Sequence, residues 1–259
     1  MNAQNSAGRT KLSININKLA TLRNSRGKNN PDLVWSALRL IELGAEGITV
    51  HPRPDERHIR RSDVFELKSA LNKKAPGIEF NIEGYPSDDF LKMVIEVKAD
   101  QCTLVPDPPE ALTSNAGWKV SENADLLKKV AKVLSAAGVR SSVFVDPQTI
   151  MAAEYSQLKS FGIDRVELYT ERYAETFGQK ENKAVLDAYK KSAAEARDAG
   201  LGINAGHDLT DQNLTDLVRA IPWIDEVSIG HALVCDALWN GFEVTIEKYL
   251  SALRNGLKP

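Results

Sequence analysis

At 259 residues, with 42% hydrophobic and 26% charged side chains, the chain can bury a sizeable core and has the composition of an ordinary globular protein. A net charge of −2 supplies no clustered basic excess, so nucleic acid is not an expected partner. Cys102 and Cys235 lie far apart in apolar segments, which predicts reduced thiols rather than a disulfide framework, and no C-x-x-C metal spacing occurs.

In chain order, residues 1–9 read as a flexible tail. The opening MNAQNSAGRTK has no apolar signal region, and no apolar run approaches the roughly 18 residues of a membrane span, so a cytoplasmic chain without a membrane partner is expected. Residues 10–259 read as one domain. Short β-rich runs alternate with helical patterns: KLSININ (11–17), GITVHPR (47–53), GIEFNIE (77–83), QCTLVPD (101–107), RSSVFVD (140–146), RVELYTE (165–171), LGINAGH (201–207) and EVSIGHA (226–232). Their starts recur every ~31 residues, the size of one βα unit. The predicted fold is therefore α/β, a single (β/α)8 TIM barrel with extra short helices. No G-x-G-x-x-G follows the first run, which argues against a dinucleotide-binding sheet.

Helix signals fill the gaps. Asn30 is placed as an N-cap with Pro31 at the first helical position, ahead of the stripe Val34, Leu38, Ile41 and the stop at Gly44. Residues 124–137 put Leu126, Leu127, Val130, Val133, Leu134 and Ala137 on one face. Asp146-Pro147 is placed as the start of a helix over 147–161 and Thr210 as the cap of one over 211–220, while Gly241 divides 233–240 from 242–254.

Strand alternation sorts the side chains. Ile14 and Ile16 face the helices, leaving Asn15 and Asn17 inside; Ile78, Phe80 and Ile82 leave Glu79, Asn81 and Glu83, with Glu83 read as a loop or rim residue; Val166 and Leu168 leave Glu167 and Tyr169. Barrel interiors are normally filled by branched apolar residues. Buried carboxylates such as Glu79 and Glu167 must be hydrogen-bonded, solvated or meant for a polar ligand.

All four histidines fall at or just past the carboxyl ends of the runs: His51, His58, His207 and His231. Arg53, Arg57 and His58 share the HPRPDERHI loop, where guanidinium groups suit a phosphate or carboxylate. In SIGHAL, Gly230 permits close backbone approach, and the helix that follows aims its first amides at the space above the strand. The NAGH turn (204–207) adds further amide donors. Two anion sites on opposite sides of one mouth suit two phosphorylated small molecules or one bisphosphate. No cofactor motif is present, so glutamate and histidine acid–base chemistry is the expected reaction type. Two other readings stand beside it. A metal held by His51, Glu79, His207 and His231 would suit a sugar-phosphate isomerase or aldolase, although H-x-H and H-x-x-x-H pairs are absent, and Lys18 is a Schiff-base alternative. A non-catalytic barrel that binds phosphorylated metabolites is the third reading.

TLRNSRG, GITVHPRPDERHI, IEFN, LVP, NAGHDLT and IGHAL, in that order between residues 11 and 254, resemble the pyridoxine 5'-phosphate synthase family. The resemblance implies condensation of 3-amino-2-oxopropyl phosphate with 1-deoxy-D-xylulose 5-phosphate to pyridoxine 5'-phosphate, phosphate and water. It implies no metal or organic cofactor, and a homo-oligomer, an octamer built from dimers. By resemblance His51 and Glu79 match the family's proton acceptors and His207 its proton donor. Asn15, Arg26, Gly230 and His231 match contacts to the aminoketone phosphate, and Arg53, His58 and Thr113 match contacts to the deoxyxylulose phosphate. Thr113 belongs to PDPPEALTSNAGW (106–118), which by resemblance is a lid. The chain departs from the family twice. Asn17-Lys18 replaces an Asp-His pair that touches the deoxyxylulose phosphate, and Asp208 stands where a glycine usually follows the donor histidine. A carboxylate at 208 would repel phosphate unless it turns away.

Overall fold

The computed structural model describes residues 9–107 and 116–258. Residues 1–8 of the predicted tail and Thr113, with the rest of 108–115, lie outside the described residues. Each β-rich run contains one strand: β1 Lys11–Asn15, β2 Gly47–Val50, β3 Glu79–Gly84, β4 Gln101–Leu104, β5 Arg140–Val145, β6 Arg165–Leu168, β7 Gly202–Ala205 and β8 Glu226–Ile229. All neighbouring pairs are parallel, and β1 closes onto β8. The chain is a closed eight-stranded barrel in chain order, as the spacing predicts.

Among the described residues eight helices cover the barrel: α2 Leu33–Glu42, α3 Arg61–Lys74, α4 Asp88–Val97, α5 Ala124–Ala136, α6 Ala152–Phe161, α8 Asn182–Asp198, α9 Leu214–Ala220 and α11 Phe242–Gly256. Three further helices, α1 Asn17–Asn24, α7 Glu171–Thr176 and α10 His231–Asn240, follow the carboxyl ends of β1, β6 and β8. They interrupt the βα connections on the mouth side, where ligand sites of such barrels lie.

Several helix starts differ from the sequence reading. Asp32, not Asn30, caps α2, accepting from Trp35 N at 2.8 Å, because its extended backbone turns the carboxylate onto the first amides. Asp146 caps only a turn, accepting from Gln148 N (2.9 Å) and Thr149 Oγ1 (3.2 Å). α6 begins later, where Glu154 reaches back to Met151 N at 3.1 Å. The Thr210 hydroxyl likewise accepts from Gln212 N and Asn213 N at 3.3 Å, one turn before α9. Asn17 opens α1 instead of ending β1, and α10 starts at His231.

The outward faces of the strands, including Ile14, Ile48, Val50, Phe80, Ile82, Val166 and Leu168, are fully buried against the helices. The barrel interior is polar along its length. Ser13 and Thr49 hydroxyls meet at 2.8 Å, Asn81 Nδ2 donates to Thr49 at 3.4 Å, and Thr103 donates to Asn81 at 3.2 Å. At the amino ends of the strands, the floor, Glu79 of β3 forms an ion pair with Arg140 of β5, whose Nε donates to Gln101 at 2.9 Å. Arg165 of β6 donates to Asn204 at 2.9 Å, and the carboxyl of Glu226 lies beside Glu79.

Candidate active site

At the opposite end a cavity of about 570 Å³ opens among the carboxyl ends of the strands. All four histidines line it, with Asn15, Asn17, Lys18, Arg53, Asp208, Gly230 and Glu167 from the sequence reading. Two expected residues are elsewhere. Arg26 is exposed on the turn after α1 and does not line the cavity. Glu79 is on the floor: it is the first residue of β3, and Arg140 and Arg165 hold its carboxyl below the ordinary glutamate range although burial opposes this. The set His51, Glu79, His207 and His231 is therefore not brought together.

The β3 glutamate that faces the cavity is Glu83. It lies on the same inner face of β3 but near the carboxyl end. Asn15 Nδ2 donates to its Oε2 at 3.3 Å, and His51 Nδ1 stands 3.9 Å from the same oxygen. Burial, then the charges of Glu167, Asp107 and Glu226, raise its pKa well above the usual value, with Arg53 opposing. Glu167, which accepts from Thr103 at 3.4 Å, is pushed up to about 7 by burial. Because the charge of Glu167 raises the pKa of Glu83, the two carboxyls titrate as a coupled pair.

His51 is set by a relay from β1. Asn15 Oδ1 accepts from Asn17 N at 3.0 Å, and Asn17 Oδ1 accepts from His51 N at 2.9 Å. Burial and the charges of Arg53, His58 and Arg57 lower the His51 pKa well below the usual histidine value, so its ring is neutral at pH 7 and available as a base.

The loop after β2 is clamped from α1, a connection that the sequence reading missed. Buried Arg23 grips Asp63 with two bonds of 2.6 and 2.8 Å and donates to His58 O at 3.2 Å; Asn24 Nδ2 donates to the same oxygen at 2.8 Å. Within this fixed loop, Ile59 N donates to His58 Nδ1 at 2.9 Å. Burial and the neighbouring Arg53, Lys18 and Arg57 bring the His58 pKa down to about 4, so the neutral ring carries its proton on Nε2 as a hydrogen-bond donor. Arg53 pairs with buried Asp107 at 2.7 Å, and Lys18 in the first turn of α1 and Arg57 complete a cationic side.

Across the cavity, Gly230 precedes α10. A Cβ there would stand 3.0 Å from Asn15 Cβ and O, so glycine lets β8 and β1 close together at the mouth. The first amides of α10 and His231 face the cavity, an arrangement suited to an anion. Gly206 serves a similar purpose, since a Cβ there would come 2.5 Å from Ser228 O and 3.1 Å from Glu167 Oε1.

Between the two charged sides Val105 and Phe144, at the ends of β4 and β5, form a small apolar wall, with Tyr169 at the end of β6 packed against them. Tyr169 packs 5.3 Å from Phe144 and edge-on to His207 at 5.1 Å. Tyr169 was legible as inward-facing; Val105 and Phe144 continue the same alternation two residues past Thr103 and Ser142. The His207 pKa is raised: burial lowers it, but the hydrogen bond and charge of Asp208, with Glu171 and Glu167, outweigh burial. The cavity thus offers a neutral base, two carboxyls with raised pKa values and a histidine biased toward its protonated form, between two sides suited to anions.

Known proteins resemble this chain in sequence and in fold. Residues 12–255 match the family model described as pyridoxal phosphate biosynthesis protein PdxJ. The chain is 53% identical over 245 residues to the pyridoxine 5'-phosphate synthase of Bacteroides fragilis, covering 95% of this chain and 100% of that protein. The proteins of the same name from Phocaeicola vulgatus and Cytophaga hutchinsonii are 53% and 52% identical, each over 95% of this chain and at least 99% of theirs. In fold the chain is similar to tryptophan synthase from M. tuberculosis, with TM-score 0.65 at 12% identity over 95% of this chain and 94% of that one. A putative fructose-1,6-bisphosphate aldolase from Coccidioides immitis superposes with TM-score 0.61 at 12% identity, covering 96% and 90%.

Proposed function

The chain belongs to the PdxJ family of pyridoxal phosphate biosynthesis proteins, and from that premise we propose that its mouth residues share out the proton transfers of the family's ring-closing reaction. As a member it is an enzyme of vitamin B6 biosynthesis, condensing 3-amino-2-oxopropyl phosphate with 1-deoxy-D-xylulose 5-phosphate to pyridoxine 5'-phosphate, phosphate and water. The observation that carries the assignment is the contact of Glu83 with His51, 3.9 Å apart in a cavity with cationic groups on one side and a helix N-terminus on the other.

Amine attack on a ketone, loss of water and removal of a proton beside a carbonyl each require a base and an acid in reach. Neutral His51 accepts a proton. Glu83 takes the acceptor role that the sequence reading gave to Glu79, and Glu167 exchanges protons with it. His207 donates to the departing oxygen. Lys18, Arg53, Arg57 and the Nε2–H of His58 hold one phosphate, with Asn17 bonding beside them; the α10 amides, Gly230, His231 and Asn15 hold the other. The apolar wall of Val105 and Phe144 suits the face of the forming ring. Purified protein mixed with both substrates is expected to release pyridoxine 5'-phosphate and inorganic phosphate in equal amounts. Folded protein that yields neither would overturn the reading.

A cytoplasmic location and a homo-oligomeric state extend this proposal. Two unpaired cysteines support the first. Exposed Trp239, Leu238 and Trp35, at 91%, 70% and 67% of full accessibility, support the second.

A further inference from the structure

The turn after β7 carries a feature that neither phosphate binding nor the barrel requires. Gly206 to Leu209 form a tight turn closed by Leu209 N donating to Gly206 O at 3.2 Å, with Asp208 at its third position. Asp208 has φ +60°, one of three non-glycine residues with positive φ among the described residues. Glycine adopts that conformation without strain, whereas an aspartate there needs compensation. The compensation is visible: Asp208 Oδ2 stands 3.0 Å from His207 Nδ1. An ionised carboxylate only accepts, so Nδ1 carries the proton of this bond. The turn is pinned from both sides. Thr170, just before α7, donates its hydroxyl to His207 O; Asn213 Nδ2 donates to Asp208 O at 3.3 Å and its Oδ1 accepts from Thr210 N at 2.8 Å. Tyr169 packs edge-on against the His207 ring.

We propose that Asp208 is a positioning residue for His207: through the Nδ1 hydrogen bond it fixes the tautomer and orientation of the ring and stabilises the protonated donor. The inference rests on the proton-donor role assigned to His207 above. The carboxylate does not oppose phosphate in this arrangement, because its charge is directed to the imidazole. Among the described residues, charged groups that face His207 include Asp208 on its own turn, Glu171 from α7 and Glu167 from β6, while His231 of α10 faces Asp208. Asp208 differs from the two glutamates in touching the ring directly, so its removal has an effect that theirs cannot replace.

The test combines histidine NMR titration with pH–rate profiles for the wild type, Asp208→Asn and Asp208→Gly, with His207→Asn used to assign the resonance among four histidines. Asn keeps an acceptor without the charge, and Gly suits the turn, so both variants are expected to fold; thermal melts check this. The His207 titration should move down by about one pH unit in both variants. The alkaline limb of kcat should move down with it, and KM for each substrate should stay within about twofold of wild type, since the lost interaction acts on the proton and not on substrate binding. A His207 titration unmoved in Asp208→Asn, or a change confined to KM, would overturn the proposal. The titration needs no turnover. If the wild type makes no product, the synthase reading fails while the titration still decides whether Asp208 governs His207.

Discussion

Glu79 and Glu83 point into one barrel from the same face of one strand, separated by about 13 Å of chain at the usual rise per residue. Their surroundings are opposite. On the floor Glu79 meets Arg140, with Arg165 nearby, and is held in its charged form. At the mouth Glu83 meets Glu167 and Asp107, and its charged form is penalised. On the floor the Glu79–Arg140 pair balances its own charge, which is how a structural ion pair tolerates burial, and Glu226 beside it carries the raised pKa. The mouth is left with carboxyls that disfavour ionisation and cations that disfavour protonation of His51 and His58, an imbalance that suits proton transfer and anionic substrates.

The sharpest way to break this contrast is Glu83→Gln. Removing a proton acceptor from the mouth should lower kcat about 10³-fold, the middle of the range for general acid–base groups, while the melting temperature stays level or rises, because a neutral amide replaces a buried carboxyl whose charged form is disfavoured. Glu79→Gln should act in the reverse sense. It leaves Arg140 without its carboxylate and is expected to cost about 2–3 kcal/mol of stability in a denaturant titration, at the low end for a buried pair because the Arg140 side chain is 31% exposed. Arg57→Ala should raise KM for the phosphorylated substrates about tenfold, equivalent to about 1.4 kcal/mol, with kcat and the melting temperature little changed.

Two smaller effects follow from pH. Burial and its neighbour Glu79 raise the pKa of Glu226 well above normal. A raised carboxyl pKa gives stability below the ordinary glutamate value that is lost as pH climbs toward the raised one. Glu226→Gln mimics the protonated form, so its melting temperature should fall less between pH 5 and 8 than that of the wild type. At the mouth, Glu83 and Glu167 must lose protons to accept them, and one of the pair titrates at about 7. Activity should therefore rise with pH through neutrality and fall as His207 deprotonates. Glu167→Gln removes a charge that raises the Glu83 pKa, so the acid limb should move down by about one unit.

The same contrast shows what the sequence conceals. All eight strands and the four histidines of the mouth were legible, because alternation and βα spacing are strong signals and a histidine past a strand end has only one end of the barrel to occupy. A period of two identifies the face of a side chain but not its height. Glu79, Asn81 and Glu83 share one face, and nothing in the alternation separates floor from mouth. Height is set by where pairing begins: Glu79 pairs with Gly47 at the start of β2, whereas Glu83 pairs with Thr103 of β4 near the strand ends. Arg140, Arg165 and Glu226, each first in its strand, mark the floor in the same way. The grip of Arg23 and Asn24 on the His58 loop was hidden for another reason, since it joins residues more than 30 positions apart. The cap at Asp32 was missed because Asn30-Pro31 offers a similar local signal two residues earlier.

The central claim is that chemistry resides with Glu83 and structure with Glu79. Single-turnover formation of pyridoxine 5'-phosphate by folded Glu79→Gln protein, measured per folded molecule beside Glu83→Gln, tests it most directly. The account predicts that Glu79→Gln turns over within a few-fold of wild type while Glu83→Gln is nearly inactive. Loss of turnover in folded Glu79→Gln, with Glu83→Gln active, would contradict it.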